Sequence, residues 1–305
     1  MPDSLSLWQK HKEQQTTLII LGIDMETVKK KLNPRKTFWK CGACSHAMFH
    51  LLNHEFDNVK VKEEKASDML AGGIAQKGYQ CGMLWGGSLA IGTESFRKFD
   101  DRNKAIAMAI NASKLLMESF HKRAKTVNCK DISRVDWENR FQLTIYMLKI
   151  IAQGFVFSPC FNLIVKWTPE AVHAAKVGLN ENISYSQPCM SCSTEVVKKM
   201  GGTEEESIMV AGFAGGIGLS GNACGALSAA IWYKMLEWAK TNPDKSLPMF
   251  NNPDARKVLR TFYTQTDSEM LCNKICNRSF NSIDEHSNYI QSGGCSKIIE
   301  ALSKS

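Results

Sequence analysis

Eleven cysteines stand in a chain of 305 residues, and ten of them fall into two series with the same order. The CxxC pairs Cys41/Cys44 and Cys189/Cys192 open the two series. Cys81 and Cys224 come next, then Cys129 and Cys272, and Cys160 and Cys295 close them. The separation of 48 from Cys81 to Cys129 recurs from Cys224 to Cys272. Cys276 alone has no counterpart, its equivalent position being Ser133. The N-terminus lacks the basic, then apolar, then small-residue pattern of a secretory signal, so the cytoplasm, where ordinary thiols stay reduced, is the expected compartment. The cysteine content also falls short of a disulfide scaffold. Metal binding or redox chemistry is therefore the leading expectation for these thiols.

Glycines accompany the second cysteine of each series. AGGIAQKGYQCG (residues 71–82) aligns without gaps on AGGIGLSGNACG (residues 214–225), with seven of twelve positions identical. Gly72, Gly73, Gly78 and Gly82, and correspondingly Gly215, Gly216, Gly221 and Gly225, let the backbone approach a bound group closely and are the expected cofactor-binding residues. A cysteine between such a turn and a helix start lies among unpaired N–H groups at a positive dipole end, which favours its thiolate. GIGLSG (residues 216–221) matches GxGxxG, but its aligned copy loses the middle glycine and neither sits in a strand–turn–helix unit. His46, His50 and His54 fall on one helical face; their counterparts Thr194, Lys198 and Gly202 are not ligands, so a solvated or locally hydrogen-bonded stripe is the better reading. CGACSH misses a haem-attachment CxxCH because Ser45 intervenes.

The elements that must position these thiols read as helices. Met48, Leu51 and Leu52 after Cys44, and Val196, Val197 and Met200 after Cys192, repeat at helical spacing. Thr203 with Glu206 is a capping-box pattern for a helix that stops near Gly215–Gly216. Another helix begins near residues 222–224, and a further one runs through Ile106, Ile110, Leu116 and Phe120, with Val258, Leu259 and Tyr263 as its partner. Leu143 to Phe157 reads as a core helix, too short and too polar for a membrane span. No stretch alternates with period two over a length that demands a sheet. The expected fold is all-α: two pseudo-symmetric helical repeats with an N-terminal extension. The boundaries are 1–37 for the extension, 38–180 for the first repeat with an insertion at 134–155, and 181–305 for the second, the repeats sharing an interface or docking in a homo-oligomer.

With 44% hydrophobic residues the chain can build a proper core. Its net charge of +8 is too small and too scattered to make nucleic acid the expected partner. The basic run Lys29, Lys30, Lys31, Arg35, Lys36 and Lys40 leads into the first CxxC and suits an acidic redox partner protein.

In its cysteines and glycines the chain resembles the redox-active proteins named for their C_GCAxxG_C_C arrangement, present here as two tandem copies. CGALSA (residues 224–229) reads Cys-Gly-Ala where the family name has Gly-Cys-Ala; CGMLWG (residues 81–86) keeps the final glycine but has Met83 for alanine. The matching cysteines are Cys44, Cys81, Cys129 and Cys160, and Cys192, Cys224, Cys272 and Cys295, with Cys41 and Cys189 extending the pattern. The resemblance implies redox activity and an iron–sulfur centre, with electron transfer through these ten cysteines as metal ligands. Two alternatives stay open: a thiol–disulfide oxidoreductase using the CxxC pairs, and a zinc-binding structural or interaction module. The zinc reading is weakened because the close-set CxxC knuckles of a zinc ribbon are missing.

Overall fold

The computed structural model describes residues 32–152, 158–245, 247–250 and 252–305. In the first repeat α1 (Pro34–Cys41), α2 (Cys44–Glu55), α3 (Val61–Ala66) and a 3-10 turn (Ser67–Leu70) lead to a glycine turn. Beyond it come α4 (Gly82–Lys98), α5 (Arg102–Ala124), α6 (Cys129–Ser133), α7 (Arg140–Ala152) and α8 (Pro159–Gly178). The second repeat runs α9 (Cys192–Lys199), α10 (Glu204–Met209), a 3-10 turn (Ala211–Phe213), α11 (Gly225–Thr241), α12 (Pro253–Thr266), α13 (Cys272–Ile275), α14 (Ile283–Gln291) and α15 (Ser296–Ser303). No strand occurs among the described residues, and the fold is all-α.

Local chemistry sets the helix ends. Thr203 and Glu206 form the complete capping box at the start of α10, each side chain serving the other's backbone N–H. That helix stops at Met209, earlier than the glycines alone require, because the chain tightens first into the 3-10 turn. Asp101 caps α5 by accepting from the N–H groups of Asn103 and Lys104, and Lys125 in the left-handed region ends it.

The glycine turns have an uncommon backbone. Gly72, Gly73, Ile74, Ala75 and Gln76 all have positive φ, as do Gly215, Gly216, Ile217, Gly218 and Leu219. Each turn is thus a left-handed coil, closed by Gly78 N–H to Gly72 O at 2.9 Å in one repeat and Gly221 N–H to Gly215 O at 2.8 Å in the other. Left-handed backbone costs an ordinary L-residue roughly 1–2 kcal/mol, so Ile74, Ala75 and Gln76 hold it only because the surrounding bonds over-determine it.

Across the repeats the same contacts recur. Ser45 Oγ donates to Ser67 O at 2.7 Å, and Ser193 Oγ donates to Val210 O at 2.8 Å, tying each cysteine helix to the turn before the glycines. Residues 34–305 close into one compact unit. Helix α4 packs against α10 and its 3-10 turn in the second repeat, while α11 packs against α3 and its 3-10 turn in the first. Trp85 meets Phe213 edge-on at 4.7 Å in this shared core, and the Trp232 indole donates to Glu63 O at 3.1 Å. Gln80, fully buried, spans to the other glycine turn: its Nε2 donates to Gly216 O at 3.0 Å and its Oε1 accepts from Ala223 N–H at 3.1 Å.

One expectation changes. The stretch from Leu143 forms a helix, α7, but Leu148 and Ile151 are exposed, as is Phe141 before them, and Ile150 is the residue that turns inward. A mostly apolar run reads the same whether its partner lies on one face or all around, and here only one face is covered. Residues 153–157 lie outside the described residues, as do the extension up to residue 31 and Lys29, Lys30 and Lys31. No helix among the described residues is long and apolar enough to cross a membrane.

Candidate functional site

The preserved 48-residue spacing is the length of a helical hairpin that returns to its own start. Cys81 N–H donates to Val127 O at 2.8 Å and Cys129 N–H to Tyr79 O at 2.6 Å, closing an antiparallel bridge between Gln80 and Asn128. The second repeat repeats it with Cys224 N–H to Met270 O at 2.9 Å and Cys272 N–H to Asn222 O at 2.7 Å, bridging Ala223 and Leu271. Helix lengths differ between the hairpins, yet both bring the two cysteines together.

All eight cysteines of the two sets stand at helix beginnings. Cys44, Cys129, Cys192 and Cys272 are first residues of α2, α6, α9 and α13. Cys81, Cys224 and Cys295 immediately precede α4, α11 and α15, and Cys160 is the second residue of α8. Helix beginnings therefore gather round each set, and the positive dipole ends of the longer helices favour negative charge on sulfur there, against the burial that raises most of these thiols.

In the first repeat Cys44, Cys81, Cys129 and Cys160 line one cavity of about 360 Å³. Its walls are mainly apolar, with Phe38 stacked on Phe161 at 4.3 Å, and Ile132, Ile150 and Trp137 beside them. Trp137, Tyr146, Met147 and Ile150 supply part of this wall: the Tyr146 hydroxyl donates to Cys160 Sγ at 3.9 Å, and its ring packs edge-on against Trp137. The Cys81 thiol donates to Cys44, holding the Cys44 thiol below the ordinary thiol range against the opposing effect of burial, and the N–H groups of Gly72 and Ser45 assist. Cys81 is correspondingly pushed well up. Burial raises Cys129, and protein packed round the Cys160 sulfur pushes that thiol up to about 12.

The second set also converges, and it contains a fifth thiol. Cys276 Sγ lies 3.9 Å from Cys272 Sγ and 3.7 Å from Cys295 Sγ. Hydrogen bonds from Cys272 and Cys295, and then from Tyr289, pull the Cys276 thiol far down, while its two neighbours are pushed far up. Cys192 and Cys224 influence the same group from behind, themselves raised by burial to about 12 and about 11. The repeat does not preserve Cys276, so the duplication alone does not mark it. The signal was present in Cys272-Asn-Lys-Ile-Cys276, whose spacing puts both sulfurs on one side of a helical turn.

The first members of the CxxC pairs point elsewhere. Cys41 hydrogen-bonds His46, whose Nδ1 lies 3.1 Å from Asp68 Oδ1. Cys189 is buried beside Asn103, which accepts its backbone N–H at 2.8 Å, with Arg102, Asp101 and Asp284 as its charged neighbours. His50 pairs with buried Glu64 at 2.8 Å, and its ring centroid is 6.5 Å from that of His54. Among the glycines, Gly72 lines the cavity, and its N–H, like that of Gly215 in the second repeat, hydrogen-bonds the first cysteine of its set. Gly73 and Gly216 shape the coil: a Cβ there would strike the backbone of Tyr79 or Asn222. Gly82 and Gly225 admit close helix packing, a Cβ on Gly82 falling 2.6 Å from Cys44 Sγ and one on Gly225 against Phe213 O. Gly78 and Gly221 rest against Lys130 and Asn273.

Among the described residues no group of three or more His, Cys, Asp or Glu side chains stands in an arrangement that holds a metal ion. The donor chemistry of the first set nevertheless fits a thiolate-bound group of several atoms, because four sulfurs face a shared cavity rather than a single point. The sequence model of the family described as "Putative redox-active protein (C_GCAxxG_C_C)" matches residues 43–165 and 187–304. No curated protein and no solved structure matches the chain.

Proposed function

For a chain that belongs to the C_GCAxxG_C_C family of redox-active proteins, with both copies of the family region in one molecule, we propose that the first repeat binds an iron–sulfur cluster and that the protein transfers electrons through it. Cys44, Cys81, Cys129 and Cys160 are the proposed ligands. The observation that carries this reading is their meeting, from four separate helix beginnings, on one largely apolar cavity.

When bound, the cluster supplies a one-electron couple. The chain's own groups tune it. Amides of Gly72 and Ser45 stabilise negative charge on Cys44, and Tyr146 does so on Cys160; hydrogen bonds to ligand sulfur raise a cluster's potential. The apolar walls keep water away and make each added negative charge costlier. Loading must deprotonate thiols that burial has raised, so it releases protons and strengthens as pH rises. All eleven cysteines are free, which suits a reducing cytoplasm. Exposed Lys36, Trp39 and Lys40 on α1, next to the cavity wall, offer an acidic redox protein its approach. The CxxC alternative has less support, because Cys41 turns to His46 and Cys189 to a polar neighbourhood.

Anaerobic purification with iron and sulfide analysis tests the reading. We expect iron and acid-labile sulfide in stoichiometric amounts, with loss of the visible absorption in Cys81→Ser and Cys129→Ser and little change in Cys189→Ser. Stoichiometric zinc without iron, or full retention of iron in Cys81→Ser, overturns it.

A further inference from the structure

The second repeat breaks the pattern at one residue. Where the first repeat has Ser133, whose hydroxyl donates to Cys129 O at 2.7 Å and accepts from the Trp137 indole at 3.2 Å, the second has Cys276. This substitution places a sulfur between two others. Cys276 and Cys295, 3.7 Å apart, are also the partly exposed members of the set, whereas Cys192, Cys224 and Cys272 are buried.

Resting on the redox reading above, we propose that Cys276 and Cys295 form a two-electron dithiol–disulfide couple that exchanges with the disulfide of a small zwitterionic peptide thiol. A disulfide requires sulfurs at about 2.05 Å, so the present contact is non-bonded and the two sulfurs must draw together for the bond to form. Cys295 has φ of 59° and follows Gly293 at 90° and Gly294, whose close packing on the Tyr289 ring holds the turn beside that tyrosine. Tyr289 from α14 hydrogen-bonds both sulfurs and steadies the charge that passes between them. A groove of about 420 Å³ runs past Gly294 and Ser296, the chain neighbours of Cys295, with Lys199, Lys297, Glu195 and Glu300 on its walls. Charges of both signs match a ligand that carries both carboxylate and ammonium groups.

The exchange balances. Cys276 thiolate attacks one sulfur of the substrate disulfide, the substrate S–S bond breaks, and the first thiolate leaves to take up the proton that Cys276 gave up. Cys295 then loses its proton and attacks the Cys276 sulfur, which expels the second thiolate; that thiolate takes up the proton. The protein is oxidised by two electrons to the Cys276–Cys295 disulfide, and the substrate disulfide is reduced to two thiols.

The full-length reduced protein is treated anaerobically with glutathione disulfide, and released thiol is measured together with non-reducing peptide mapping and iron content. We expect about two equivalents of thiol per chain and a Cys276–Cys295 linked peptide. Cys295→Ser should stop at a mixed disulfide on Cys276, with about one equivalent released. Cys276→Ser, which installs the residue the first repeat carries, should abolish linkage and release while preserving the helical circular dichroism. No thiol release by wild type, linkage of other cysteines, or undiminished release in Cys276→Ser overturns the proposal. The two readings separate, because Cys81→Ser should lose iron and keep the linkage, and Cys276→Ser the reverse.

Discussion

A thiol's neighbours decide what it can do, and the second set has one thiol more than the first. In the first repeat Cys44 is the lowered thiol, supported by Cys81; in the second the lowered thiol is Cys276, supported from both sides. His286 shows the opposite effect near that centre. It is 1% exposed, its Nδ1 has no partner, and burial pushes it down to about 4 from 6.5. The unfolded chain therefore takes up the imidazole proton first. Stability present above pH 6.5 is lost as the pH falls towards 4, and the full loss is about 3 kcal/mol. Urea titrations of wild type and His286→Gln at pH 7 and pH 4.5 check this: the variant should lose less stability on acidification, and an equal loss would show that His286 is not the acid-sensitive group.

At the scale of elements, the glycine coil and the hairpin bridge hold the sulfurs in place. Two hydrogen bonds, Cys81 N–H to Val127 O and Cys129 N–H to Tyr79 O, close the first hairpin, and Cys224 N–H to Met270 O and Cys272 N–H to Asn222 O close the second. The left-handed coil ahead of each cysteine directs the amides of Gly72 and Gly215 at the first sulfur of each set. Gly73 has φ of 77°, and a Cβ there would strike the backbone of Tyr79. Gly73→Ala should cost about 2–3 kcal/mol and lower iron content, read by urea unfolding and metal analysis. Unchanged stability would mean that the coil can relax and does not position the site. The capping box of α10 and the helical spacing behind Cys44 and Cys192 were legible because those signals are local. The left-handed run through Ile74, Ala75 and Gln76 was not, since none of these residues prefers that backbone and only the bonds around the turn enforce it.

At the scale of the whole molecule the repeats lend each other their cores. Gln80 is the joint: two hydrogen bonds from its buried amide satisfy Gly216 O and Ala223 N–H across the interface. Gln80→Leu strands both groups and should cost about 2–4 kcal/mol. Because α4 and α11 each pack on the opposite repeat, wild type should unfold in one transition followed equally by circular dichroism and tryptophan fluorescence. Two separated transitions would show independent repeats, and a neutral Gln80→Leu would show that the amide does not join them. The sequence by itself determined the duplication and the all-helical class, because residue identity at repeated intervals and apolar periodicity are properties of the chain alone. Only the tertiary structure decided that Cys41 and Cys189 part from their CxxC partners and that Cys276 joins a set. It also decided that Trp137, Tyr146, Met147 and Ile150 wall one cavity. Sulfur positions depend on which helix beginnings converge, and that convergence is set by packing between segments up to a hundred and more residues apart.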